Sequence, residues 1–346
     1  MRRIFYASTF ALAFAALGPA ASAQNARRPA APAGRTAAAA AQAAPAAALP
    51  LPASDAVLTV DVRALFAEVI PRSLGSDKAR LAQVSADVDE FRARTGIDAR
   101  EFDTLAVGAR IVPLPSGATK IDRVTAVARG RFKPEALVAA ARAAAKGGLA
   151  EQKHGGKTVY VATVNDQLKL FGLARMRVRE LAFAVLGQNT LALGEPEDVR
   201  AAIDAQAGRG RADMGLLNFP RGAGDFIAFG GNVPAGALAG IDTGISSNVD
   251  RAVASIRGFY GTVGSTAAGL QMMTTLRAGT AADAKQLYDV ANALRQMAPG
   301  FIAVAGAKWA FAGRLTEGMK ITTKGNEVQL RLEVPQADIS AVLKSL

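Results

Sequence analysis

A chain of 346 residues, half of them apolar and a fifth charged, is long enough for two ordinary domains and too apolar to stay disordered. It has no cysteine and a single histidine, which excludes disulfides, thiol chemistry and the usual zinc and iron ligand sets, so no cofactor is expected. The formal net charge of +12 is concentrated: Arg110–Glu180 holds 14 basic and 5 acidic residues, whereas Asp55–Ala109 holds 7 basic and 10 acidic.

The chain opens like a secretory signal. Arg2-Arg3 supplies the positive end, Ile4–Leu17 is apolar, and Ala21-Ser22-Ala23 is a small-x-small cleavage site, so a signal peptide over 1–23 is expected. Retained, the same stretch approaches spanning length and would be an anchor. Arg2-Arg3 with Phe5 matches a twin-arginine signal only in part, which leaves the export route open. Residues 24–53 form an Ala/Pro tract without amphipathic period, read as a disordered tether. No later stretch offers 18 uninterrupted apolar residues, so the mature chain is expected to be soluble in the periplasm or outside the cell.

The folded part is expected from Asp55. Val57–Val62 reads as a strand, Ala64–Ile70 as a helix ended by Pro71, and Ser76–Arg94 as an amphipathic helix closed by Gly96. Strands follow at Leu105–Val107 and Val124–Phe132, then an Ala-rich helix from Pro134 to Gly147-Gly148, and a strand at Thr158–Ala162 after a Gly155-Gly156 turn. Leu181–Leu186 and Thr190–Leu193 flank a Gly187-Gln188-Asn189 break and read as a hairpin, with Pro196 opening a short helix. After Gly208-Arg209-Gly210-Arg211 the order restarts with Asp225–Phe229, a broken strand over Ala252–Val263 and a strand at Leu270–Leu276. Thr280 and Asp283 cap a helix stopped by Pro299. Lys308–Ala312 and a final hairpin and helix complete the chain.

The two hairpins align at an offset of 139, pairing Leu191 with Leu330, Leu193 with Leu332 and Pro196 with Pro335. Two divergent copies of an α+β module are therefore expected, over 54–207 and 208–346, with largely antiparallel sheets covered by amphipathic helices. The export signal, the Ala/Pro tether and the paired strand, Gly-Asn turn, strand, Pro-helix endings resemble a loose group of exported bacterial proteins with duplicated α+β modules. That resemblance implies no activity and carries over no catalytic residue.

Few residues suggest chemistry. Gly155-Gly156-Lys157-Thr158 lacks the earlier glycine of a phosphate loop, has Glu151 in its place, and runs on into a strand, so it reads as a turn. His154 beside it reads as a solvated turn residue, and the serines fail the nucleophile-elbow pattern. Glu195, Glu197 and Asp198 are explained by a helix start, and Trp309 by core packing on an alternating strand.

The basic pattern is sharper. Arg175, Arg177 and Arg179 alternate with Met176 and Val178, and Arg123, Arg129 and Arg131 alternate along the other strand. Should the two strands share a sheet face, that face would suit phosphate or carboxylate groups. No nucleic-acid module accompanies it. The reading is a non-catalytic exported envelope protein, a binding or scaffolding module for an anionic envelope component. The alternative is a periplasmic hydrolase with its site in a cleft between the copies, near Asp225, Asp242 or Ser265.

Overall fold

The computed structural model describes residues 49–339, apart from 76, 96–97, 115–118, 146–147, 171–173 and 306–309. The signal and most of the tether, with Trp309, lie outside the described residues. Twelve strands build one antiparallel sheet: β1 (Ala56–Asp61), β2 (Phe102–Pro113), β3 (Thr119–Gly130), β4 (Leu149–His154), β5 (Lys157–Leu170), β6 (Ala174–Gly187), β7 (Thr190–Gly194), β8 (Asp225–Asn232), β9 (Ile256–Thr266), β10 (Gly269–Ala278), β11 (Lys320–Lys324) and β12 (Glu327–Pro335). Their order is β11-β12-β10-β9-β8-β1-β2-β3-β7-β6-β5-β4. The class is α+β. β1 is the hinge of the architecture, pairing β2 on one side and β8 on the other.

The helices are α1 (Val62–Ala64), α2 (Ile70–Leu74), α3 (Lys78–Thr95), α4 (Pro134–Ala144), α5 (Pro196–Gln206), α6 (Ser247–Ala254), α7 (Ala281–Ala305) and α8 (Ala310–Glu317). Pro134 and Pro196 open α4 and α5 at positions where the missing N–H costs no hydrogen bond. Thr280 caps α7 as expected, its hydroxyl accepting from the Asp283 backbone at 3.1 Å. Gly155 and Gly156, both at positive φ, make the two-residue turn between β4 and β5, where glycine avoids the Cβ clash.

Four expectations change. Pro71 does not end a helix, because a π turn over Leu65–Val69 precedes it and the chain continues helical through α2. Pro299 lies inside α7, which runs on to Ala305. Of the expected broken strand over Ala252–Val263, residues 256–263 belong to β9, whereas Ala252–Ala254 close α6, a helix capped by Ser246. Lys308–Ala312 is no strand at its described end, since Ala310 begins α8.

The sheet has two unlike faces. In the first half, Val127, Ala182, Ala184 and Leu186 face α5 through Val199, Ala202 and Ile203. Their opposite neighbours Phe183 and Leu191 face α4 through Leu137. Following the register from Val57 through Gly230, Tyr260 and Thr275 to Gln329 stays on the α5 side. Helices α6, α7 and α8 bury Val328, Leu330 and Leu332 on the other side. Leu49 and Leu51, expected at the end of a tether, are buried in the α5-side core, and Ala53 and Ala212 bond across to Gly210 and Leu51. Among the described residues no helix is long and apolar enough to cross a membrane.

Candidate binding cleft

The site begins with a fault in a strand. Between β2 and β3 the pairing passes from Gly108–Thr125 to Arg110–Asp122, so β3 carries one extra residue there. Arg123 takes up the slack at φ +53°, the sole non-glycine among the described residues on that side of the backbone map. For an L-residue this conformation costs about 1–2 kcal/mol, so the surroundings must hold it. They do. Arg123 Nε donates to Asp198 Oδ1 at 3.0 Å, and that carboxylate is only 3% exposed.

Asp198 stands in the first turn of α5, brought close by Gly194. A side chain at 194 would meet the Val124 carbonyl at 3.0 Å and Asp198 Cβ at 3.2 Å. Thr125, wholly buried on the α5 side, keeps a hydroxyl without a hydrogen-bond partner among the described residues.

These residues line a cavity of about 320 Å³ that also takes in Arg110, Asp204 and Arg209. Arg110 Nε donates to Asp55 at 3.2 Å. Arg209 donates to Asp204 at 2.5 Å, and His154 meets the same carboxylate oxygen at 3.1 Å. Arg209, and after it His154, hold the Asp204 carboxyl below the usual carboxylate range. His154 is thus not a plain solvated residue. It ties the β4–β5 turn to α5.

The other predicted residues are distributed as follows. Arg129 is half-buried and Arg131 is exposed, and neither forms an ion pair among the described residues. The register joins Ala126 to Leu193 and Leu193 to Phe183. Arg129 alternates with Val127 on the α5 side. The side chains of Arg175, Arg177 and Arg179 lie outside the described residues. Of the hydrolase candidates, Asp225 and Asp242 accept turn N–H groups from Gly222 and Gly244 at 2.7 and 2.9 Å, and Ser265 accepts from Arg72 at 3.4 Å. The two halves join through the β1–β8 ladder.

No family model matches the chain, and no curated protein matches it. It is similar to three solved structures of TP0453. Crystal form III shares 9% identity at a TM-score of 0.45, covering 86% of this chain and 98% of that one. Form I shares 10% at 0.42, with 86% and 96% covered, and form IV shares 8% at 0.43, with 85% and 95% covered. No activity or partner transfers across such a likeness.

Proposed function

We propose that this protein is a non-catalytic exported module of the bacterial envelope, built from two divergent copies of one α+β unit, that binds an anionic envelope component. The signal-like N-terminus and the Ala/Pro tract support export. The strand order supports duplication. Running outward from the centre, β1-β2-β3-β7-β6 and β8-β9-β10-β12-β11 follow the same sequence, and the first copy adds the β4–β5 hairpin. A buried aspartate shortly after the last hairpin of each half pairs with an arginine, Asp198 with Arg123 and Asp338 with Arg314.

The observation that carries the partner is the imbalance on the α4 side. Arg131 and Lys133 stand exposed at the start of α4 with no ion pair among the described residues, and the sequence adds Arg175, Arg177 and Arg179 to the same basic stretch of the chain. Arg110, Arg123 and Arg142, by contrast, already hold carboxylates.

The test is a titration of the purified protein with phosphatidylglycerol and phosphatidylcholine vesicles at two salt concentrations. Binding is expected to the anionic vesicles alone and to weaken with salt. A basic residue near such a surface contributes about 1 kcal/mol, so Arg131→Gln with Lys133→Gln should weaken it about 30-fold. Salt-insensitive binding, or none, would overturn the reading. Export is checked by cell fractionation and the mass of the mature N-terminus, where an intact Met1 in the cytosol would count against it.

A further inference from the structure

The cleft beside Arg123 asks for a different ligand from the α4 side. Its charges cancel: the guanidinium groups of Arg110, Arg123 and Arg209 face the carboxylates of Asp55, Asp198 and Asp204 in three pairs. A net anion or cation entering there finds little uncompensated field. The hydrogen-bonding capacity, however, is not used up. Arg110 and Arg123 engage their carboxylates through Nε, so among the described residues their terminal nitrogens remain available as donors. Among the described residues, Asp198 and Asp204 each accept through one carboxylate oxygen and keep the other. Thr125, on the cavity wall, adds a buried hydroxyl with no partner among the described residues, which costs the free protein about 1–3 kcal/mol.

A site that is neutral overall yet rich in both donors and acceptors matches a ligand whose groups do both. Hydroxyls do, and a vicinal pair of them spans a guanidinium edge or a carboxylate. Pro52, Ala53 and Ala201 give the same cavity apolar wall for ring C–H groups. At about 320 Å³ it lies at the small end of ligand pockets, which run from about 300 to 1,000 Å³, and so has room for one ring rather than an extended chain. We propose that the cleft over the β3 bulge binds a single sugar unit, with Arg110, Arg123 and Thr125 donating to its hydroxyls and Asp198 and Asp204 accepting from them.

The site is separate from the basic side argued above, and its test does not depend on vesicle binding. Saturation-transfer NMR on the purified protein would compare glucose, galactose, mannose and N-acetylglucosamine with inorganic phosphate and glycine. Transfer to at least one sugar, competed by unlabelled excess of that sugar, is expected. Thr125→Val keeps the shape and removes the hydroxyl. It should weaken that sugar roughly threefold to tenfold while raising the thermal midpoint, because the orphaned group is gone. Asp204→Asn, on a partly exposed carboxylate, should weaken it as well and leave the fold intact. No transfer to any of the four sugars overturns the proposal. So does transfer confined to phosphate or glycine, which would assign the cleft to ions. Sugar affinity unchanged in both variants would move the site elsewhere and overturn it too.

Discussion

At the scale of single residues the decisive feature is Arg123, which is strained and functional-looking for one reason. Its positive φ turns a surface strand residue back onto Asp198, and the pair settles a carboxylate that α5 has carried out of solvent. The two contributions can be separated. Arg123→Ala leaves a buried carboxylate without its donor while keeping the strained backbone, and should cost about 1–3 kcal/mol. Arg123→Gly loses the same donor but relaxes the backbone, and should cost about 1 kcal/mol less. Urea midpoints of the two variants check this; equal losses would show that the bulge conformation carries no strain. None of this was legible in the sequence. Alternation along β3 predicts that Arg123, Arg129 and Arg131 share a side, but it cannot see an inserted residue that breaks the alternation.

Elements show how the same substitution changes sign with its surroundings. In β8, a Cβ at Gly230 would meet the Leu216 carbonyl at 2.1 Å, because the linker turn over Met214–Leu217 lies directly on the strand. In α8, a Cβ at Gly313 meets nothing within 4 Å. Gly230→Ala should therefore destabilise by about 1–3 kcal/mol through overpacking. Gly313→Ala should stabilise by about 0.5–1 kcal/mol, as removal of a mid-helix glycine does. Thermal unfolding of both checks the pair. The helices that begin at Pro134 and Pro196 and the glycine turn at 155–156 were readable because their signals are local. The helical course through Pro71 and Pro299 was not, because tertiary packing and a π turn outweighed a strong local breaker.

For the molecule as a whole, the decisive fact is that both halves share one continuous sheet. β1 belongs to both halves, and the segment before it is bound into the α5-side core through Leu49 and Leu51. Leu51 is 1% exposed. Leu51→Ala should cost about 2–5 kcal/mol, as a buried leucine does and a tether residue does not. Calorimetry should show one unfolding transition that moves as a whole in this variant. A separate early transition for one half would argue against the shared sheet as a single cooperative unit.

The sequence by itself determined the α+β class, most strand positions and the hairpin echo at Leu191–Pro196 and Leu330–Pro335, since period, turn residues and helix starts act over a few neighbours. It also located the concentration of basic residues. Only the tertiary structure decided which of those charges are spent on carboxylates, and that Arg129 stands on the α5 side. Face and pairing depend on register across β3, β7 and β6 and on a single bulge, and no window along the chain contains those strands together.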